Sequence, residues 1–398
     1  GAGRASSGTG ARRILVTVQL ALCLLLMVGS GLFLSTLVRT LRSDLGFRPD
    51  GVALARFDPG SLGYGPDDGL ALLERIRGRL SSLPEVEAVG WASRVPLQVG
   101  GNTATFGTIA GYQPAPDEEI RIEYILGGPG LLDALGIDLS RGRDPLASPS
   151  DEPALLVNPV MVQRYWASPE AALGGSVMLG GNAFAVAGIT GPVRWRDVSG
   201  DPTNYAVVPG SLVPSLVLGA PVTLAVRTRG DAARLLPALR RELRAEEPDL
   251  TFYFVRTADS MLGDALAPQR LGSLVFSAFA FLALVLAATG IGGIVAYAMT
   301  RRRREIGIRL ALGAPEGRVV RSAVLSMAPP VLAGLVAGTL ASLLVGRTLD
   351  AFLLGAGAED PLVYAAAGGV LVAVAAVSAL WPALGAVRVH PVEVLRQE

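Results

Sequence analysis

The chain contains no lysine; its 35 basic residues are all arginine. It has one histidine, His390, and one cysteine, Cys23. Each scarcity removes a class of chemistry. A P-loop needs a lysine to reach the phosphates of ATP, so that site cannot be built from this sequence. Schiff-base and pyridoxal chemistry need the same amine. A Ser-His-Asp triad needs a well-placed histidine, and His390 stands close to the C-terminal end. Zinc held by cysteine and histidine cannot be assembled from one of each. A single cysteine makes no intrachain disulfide and says nothing of redox compartment. The patterns H-E-x-x-H and G-x-S-x-G are also absent. With a net charge of +1 the chain shows no nucleic-acid footprint. These exclusions predict no catalytic residue, cofactor or metal.

Charge itself is scarce. Only 17% of residues are charged and 51% are hydrophobic, against about 25% charged in ordinary soluble domains. The deficit is concentrated in four runs, which points to membrane segments rather than a larger core. A spanning helix needs roughly 20 apolar residues. Ile14–Val38, Leu271–Met299, Ser322–Gly346 and Leu362–Val387 each meet that length without a charged side chain. The first has an Arg12–Arg13 flank, as a signal peptide would. Its apolar region is longer than a signal's and no clear cleavage site follows, so it reads as an anchor. Charge-free spans also argue against ion-coupled transport. Gly334 and Gly338 form a small-xxx-small spacing, and Gly290 and Gly293 add small residues in the second span.

Arginine placement orients the spans. Arg4, Arg12 and Arg13 precede the first. Arg301, Arg302, Arg303, Arg304, Arg309, Arg318 and Arg321 lie between the second and third. The loop between the third and fourth is acidic, with Asp350, Glu359 and Asp360. Arg39, Arg42, Arg270 and Arg347 oppose this bias but are dispersed. The expected layout is a cytoplasmic linker over 1–13, spans over 14–38, 271–299, 322–346 and 362–387, and an extracytoplasmic domain over 39–268. A cytoplasmic loop at 300–321, an outside loop at 347–361 and a cytoplasmic tail at 388–398 complete it. The expected fold class is an α-helical membrane protein with four transmembrane helices and a large α+β extracytoplasmic domain inserted between the first and second.

Within 39–268, Val52–Phe57, Asp67–Ser82 and Val86–Trp91 read as strand, helix and strand. Val222–Thr228, Asp231–Glu246 and Leu250–Val255 repeat the order. Two β-α-β units near 52–91 and 222–255 can join one sheet with both helices on a face. Between them, about 120–215, lies a mostly-β subdomain with strands at Ile120–Tyr124, Ala154–Asn158, Ser176–Leu179, Phe184–Ile189 and Tyr205–Pro209. Asp117, Glu118 and Glu119 read as a solvated loop. Gly180–Gly181 reads as a hairpin turn. Arg194, Trp195, Arg196 and Asp197 read as a loop with a packed tryptophan, with partner binding as the alternative.

Thr300–Arg321, TRRRREIGIRLALGAPEGRVVR, is the most informative stretch. Glu305–Leu312 can form a short helix ended by Gly313 and stopped by Pro315. It is too polar to cross a bilayer and too apolar to stand in water, so it lies at the interface or docks on a partner.

R-R-x-R-E-I-G-I-R-x-A-L-G-A directly after a span resembles the signature of FtsX-like ABC permeases, which include MacB-type transporters. Leu266–Arg270 and the tail Arg388–Arg396 resemble the same group. The resemblance covers essentially the whole chain and is nearest to the second half of a duplicated, acidobacterial-type permease. The Gly/Ser/Ala-rich start without an initiator methionine fits a fragment or later half. The resemblance implies a multi-pass protein of the bacterial inner membrane that works with a separate cytoplasmic P-loop ABC ATPase and a second permease unit. It implies coupling through Arg304, Glu305, Ile306, Gly307, Ile308, Arg309, Ala311, Leu312, Gly313 and Ala314. Arg301, Arg302 and Arg303 are expected, from their charge beside the span, to anchor the inner face in the lipid bilayer. The expected function is transmission of ATP-driven motion to the outside domain, for efflux or mechanotransmission; a periplasmic adaptor is left open. The alternative is a membrane-anchored extracytoplasmic receptor or scaffold without transport.

Overall fold

The computed structural model describes residues 4–42, 44–98, 104–116, 118–147, 152–195, 203–301, 315–353 and 360–387. The chain divides into two compact units, one of residues 1–42 and 267–398, the other of residues 43–266.

The first unit is a bundle of long apolar helices: α1 (Arg4–Arg42), α9 (Ala267–Arg301), α11 (Ala328–Leu353) and α12 (Pro361–Val387), with a shorter α10 (Glu316–Leu325) ahead of α11. Among the described residues, four segments are long and apolar enough to cross a membrane: Ile14–Val38, Ala267–Arg301, Gly317–Gly346 and Pro361–Gly385. Each buries one stripe and leaves its remaining apolar surface open. On α9 the buried stripe is Ala287, Ile291, Val295 and Met299; on α12 it is Ala367, Leu371, Ala375, Ala379 and Ala383. The spacing of four follows one face of a helix. Leu274, Phe281, Leu362 and Val377 are exposed on other faces, as expected where the solvent is hydrocarbon.

The bundle departs from the expected boundaries in four places. The stretch expected as a linker is helical from Arg4, because alanine and arginine extend a helix already nucleated by the span. The third span is broken at Ser326–Met327, with Pro329 and Pro330 in the first turn of α11, where a missing N–H costs nothing. Residues 316–321, expected in the cytoplasmic loop, begin α10, and α11 runs to Leu353 through part of the expected outside loop.

In the second unit, β1 (Val52–Phe57), α2 (Pro66–Ser81) and β2 (Val86–Ala92) form one β-α-β unit, and β10 (Val222–Thr228), α7 (Ala232–Glu246) and β11 (Phe252–Thr257) the other. Their strands pair antiparallel in the order β11-β1-β10-β2. Leu72, Leu73, Ile76 and Leu80 of α2 and Leu235, Leu239 and Leu243 of α7 share one core with the inward residues of this sheet. Truncating any one of them to alanine costs roughly 2–5 kcal/mol. The other face is covered by α3 (Leu131–Leu135), whose backbone approaches Gly90 so closely that a Cβ there would collide with it. Covering both faces explains why β1 and β10 are buried almost throughout.

Between the two β-α-β units the remaining strands close a ring. β4 (Arg121–Gly127) pairs with β3 (Ala104–Ile109), β3 with β7 (Ser176–Leu179), and β7 with β8 (Asn182–Thr190). β8 pairs with β6 (Ala154–Val157), β6 with β9 (Tyr205–Pro209), and β9 returns to β4 in parallel. β5 (Leu139–Gly142) adds to β8. A closed ring leaves no open edge within its circuit. β7 and β8 are joined by Gly180 (φ +56) and Gly181 (φ +86), the two positive angles that a two-residue hairpin turn requires. The pattern reading missed β3 and β5: β3 is interrupted by Gly107, and β5 is four residues with three exposed.

Candidate transmission region

The residues expected to meet an ATPase, Arg304, Glu305, Ile306, Gly307, Ile308, Arg309, Ala311, Leu312, Gly313 and Ala314, fall outside the described residues, as do Arg302 and Arg303 of the expected inner-face anchor. Only their flanks can be placed. Arg301 ends α9 and is exposed. Pro315 precedes α10, whose Arg318 and Arg321 are exposed while Ala323 joins the bundle core. Exposed arginines at that end suit an interface with anionic headgroups.

From that end, α9 runs unbroken for 35 residues, roughly 50 Å at 1.5 Å per residue, against a hydrocarbon thickness of about 30 Å. It packs along α1 through exchanged glycines and phenylalanines. Phe276 of α9 fills the space over Gly29 of α1, and Phe33 of α1 fills the space over Gly272 of α9. The two rings stack with centroids 5.4 Å apart. A Cβ on Gly29 or Gly272 would lie 2.9 Å from the facing ring, so neither position has room for a side chain. α1 meets α11 in the same way: Gly334 lies against Leu20 and Gly338 against Ala21 and Leu24. The small-xxx-small spacing read in the sequence is therefore a helix contact. Gly290 has only Gln19 and Val16 nearby, and Gly293 faces open space.

α1 and α9, neighbours in the bundle, are the helices the chain leaves and rejoins on either side of the second unit. Within that unit the corresponding strands, β1 and β11, are also neighbours. The segment ahead of β1 is tied down by one side chain, Arg227 of β10. Its guanidinium donates to the carbonyls of Arg48 (2.9 Å), Asp50 (3.1 Å) and Asp133 (3.1 Å), using the fixed fork that lysine lacks. After β11, Thr257 caps α8 (Ala258–Ala265) by accepting from the Ser260 N–H at 3.2 Å. Arg256 of β11 pairs with Asp264 of α8 at 2.6 Å and lies over the Phe254 ring at 4.8 Å. α1 ends at Arg42, and α8 spans Ala258–Ala265.

Two other sequence features resolve as structural. Glu118 is not a freely solvated carboxylate: it accepts from Tyr112 Oη (2.9 Å), Arg164 (2.9 Å) and the Ala115 N–H (3.1 Å). These donors, led by the Ala115 N–H, hold its pKa below the ordinary glutamate value. Glu119 is exposed, and Asp117 lies outside the described residues. Trp195 is 2% exposed and packs edge-on against Tyr205 at 5.4 Å. Arg196 and Asp197 lie outside the described residues. No group of three or more metal-ligating side chains occurs among the described residues. A cavity lined by Tyr124, Phe184, Val208 and Leu216 has a volume of about 90 Å³, below the roughly 300 Å³ at which drug-sized sites begin.

Comparison with known proteins agrees with this layout. Residues 277–391 match the family model of the FtsX-like permease C-terminal domain. The macrolide export ATP-binding/permease protein MacB of Shewanella sp. (strain ANA-3) is 26% identical over 240 residues, 57% of this chain and 35% of that protein. MacB of Sodalis glossinidius is 30% identical over 131 residues, 32% of this chain and 20% of that protein. The chain thus covers well under half the length of these relatives. The solved periplasmic region of MacB from Actinobacillus actinomycetemcomitans overlaps 57% of this chain and 97% of its own length, with 14% identity and a TM-score of 0.37. Residues 277–391, which fall on the last three membrane-length helices, are thus similar to the FtsX-like permease C-terminal domain, and the chain as a whole is similar to part of the MacB ATP-binding/permease proteins.

Proposed function

We propose that this chain is the permease part of an ABC machine of the bacterial inner membrane, passing ATP-driven motion from a cytoplasmic P-loop ATPase to its extracytoplasmic domain. The observation that carries this reading is the double pairing. The chain leaves and rejoins the bundle through two helices packed on each other, and enters and leaves the domain through two strands bonded to each other. Two long, glycine-matched helices move as one body, because packed interiors resist continuous deformation. Strands β1 and β11 receive that motion together, held by Arg227 on one side and by the Arg256–Asp264 pair on the other.

In this reading Arg301, Arg302 and Arg303 hold the inner end of α9 at the headgroups. Arg304–Ala314 docks on the ATPase, with Ile308, Arg309 and Leu312 facing a groove and Gly313–Ala314 permitting close approach. Hydrolysis belongs to the partner, in line with the missing P-loop lysine, and two permease units complete the assembly. Relatives named for macrolide export and ATP binding support the ABC-transport class; the cargo of this chain is not selected by them. Co-purification with the cognate ATPase tests the reading. Glu305→Ala and Arg309→Ala are each expected to weaken association about tenfold or more, the scale of an interface hot spot, while membrane insertion is retained. Undiminished association in both variants refutes the assignment of the loop. Absence of any associated P-loop ATPase favours the receptor or scaffold instead.

A further inference from the structure

Where the β7–β8 turn ends the closed ring of the extracytoplasmic domain, the ring holds an apolar cavity of about 90 Å³. β3, β4, β7, β8 and β9 each contribute to it, and Leu126, Leu179, Phe184 and Val208 form its buried wall. A short helix, α6 (Pro214–Leu218), stands at the rim. Its Leu216 lines the cavity and is 49% exposed, while the adjacent Val217 is buried and holds the helix to the core. Gly180, in the turn, has no side chain to cover the mouth: a Cβ there would meet nothing within 4 Å. Asn182, paired with Leu179 across the turn, is exposed at the same rim, and its amide can both donate and accept. No charged side chain lines the cavity.

We propose that this cavity is a binding site for a compact, branched aliphatic group carried on a neutral amide, as in a leucine residue or a leucine-like small molecule. Volume sets the size of the group. A cavity of about 150 Å³ encloses benzene, or about 25 Å³ per carbon. At that rate 90 Å³ holds about four carbons, an isobutyl group. The group must be compact, because the wall behind it belongs to the packed core of the ring and a long chain has nowhere to continue. Charge decides the rest of the ligand. The lining offers an ion no partner, and burying an unpaired charge is costly, so the molecule is neutral at this point. An amide beside the aliphatic group stands at the mouth, within the reach of Asn182. Apolar walls with a polar group at the rim are the common anatomy of ligand sites; this one is sized for one end of a ligand rather than a whole drug-sized molecule. The inference stands on the extracytoplasmic domain alone and is independent of the ATPase reading.

The test is saturation-transfer NMR of the detergent-purified full chain, titrated with N-acetyl-leucinamide, N-acetyl-glycinamide and N-acetyl-phenylalaninamide. The leucine compound is expected to bind with a Kd of about 1 mM, the scale for about a dozen heavy atoms. It should bind at least about tenfold more tightly than the glycine compound, since two buried methylenes already give that factor. The phenylalanine compound, whose ring exceeds the cavity, should bind several-fold more weakly than the leucine compound. Leu216→Trp fills the cavity from an exposed position and should remove the leucine preference while thermal stability is kept. Asn182→Ala leaves the cavity open and should weaken the leucine compound about two- to tenfold, the worth of one neutral hydrogen bond. A pentapeptide with leucine at its centre distinguishes the sources. Tighter binding than the amide places the group on a chain, equal or weaker binding places it on a small molecule, and both support the site. Equal binding of the leucine and glycine compounds overturns the proposal. So does phenylalanine binding as tightly as leucine, a leucine preference that survives Leu216→Trp in a stably folded variant, or a leucine affinity unchanged by Asn182→Ala.

Discussion

Gly334 and Gly338 give the bundle its sharpest quantitative prediction. A Cβ at Gly334 would lie 2.7 Å from Leu20 Cβ, and one at Gly338 would lie 2.9 Å from Leu24 Cβ and from the Ala21 carbonyl. Ordinary contact begins near 3.4 Å, so the two alanines ask α1 and α11 to part by 0.7 Å and 0.5 Å. The obstacles are backbone and Cβ atoms, which cannot swing aside as a side-chain tip would. Each single substitution is expected to cost about 1–3 kcal/mol, the usual range for overpacking. One separation of the helices relieves both clashes, so Gly334→Ala/Gly338→Ala should cost less than the two singles added, by about 0.5 kcal/mol or more. Reversible denaturant unfolding of the reconstituted chain measures all four corners of the cycle. Strict additivity would mean that the two sites relax independently. Single-variant costs within about 0.5 kcal/mol would mean that the helices are not in this close register. Either result would refute the packing.

Gly128 faces the indole of Trp91, which is 2% exposed and also packed over Gly210; Gly128→Ala should destabilise the extracytoplasmic domain by about 1–3 kcal/mol, read as a lower unfolding midpoint. Arg227→Lys should loosen the segment ahead of β1, since an ammonium cannot span three carbonyls; faster amide exchange over residues 44–51 is the readout. Glu118 has a depressed folded-state pKa, so its contribution is present above the unfolded value of about 4.3 and is lost as pH falls through the lower folded value. The stability difference between the unmodified chain and Glu118→Gln should therefore be largest near neutral pH and shrink on acidification below about pH 4. A difference constant down to pH 3 would show that the carboxylate charge is not what Tyr112, Arg164 and Ala115 hold.

The sequence by itself determined the membrane class, because four charge-free runs longer than a bilayer core have no other low-energy environment. It also determined the two β-α-β units, since leucines at helical spacing, as in Leu235, Leu239 and Leu243, alternate with short β-branched runs. Likewise, the missing lysine and the lone His390 spoke to chemistry without any coordinates. Tertiary structure decided what depends on which segments meet. No local pattern states that β9 returns to β4 in parallel and closes a ring, because strand pairing is set by partners far apart in sequence. Nor does spacing alone tell a contact glycine from an idle one: Gly334 and Gly338 press on α1 while Gly293 faces open space. Glu118 looked like one of three solvated carboxylates until Tyr112 and Arg164 were brought to it. The lysine-free composition excludes an ATP site of the P-loop kind from this sequence, and the structure adds two pairings that no local pattern states: α1 against α9 in the bundle, and β1 against β11 in the extracytoplasmic domain.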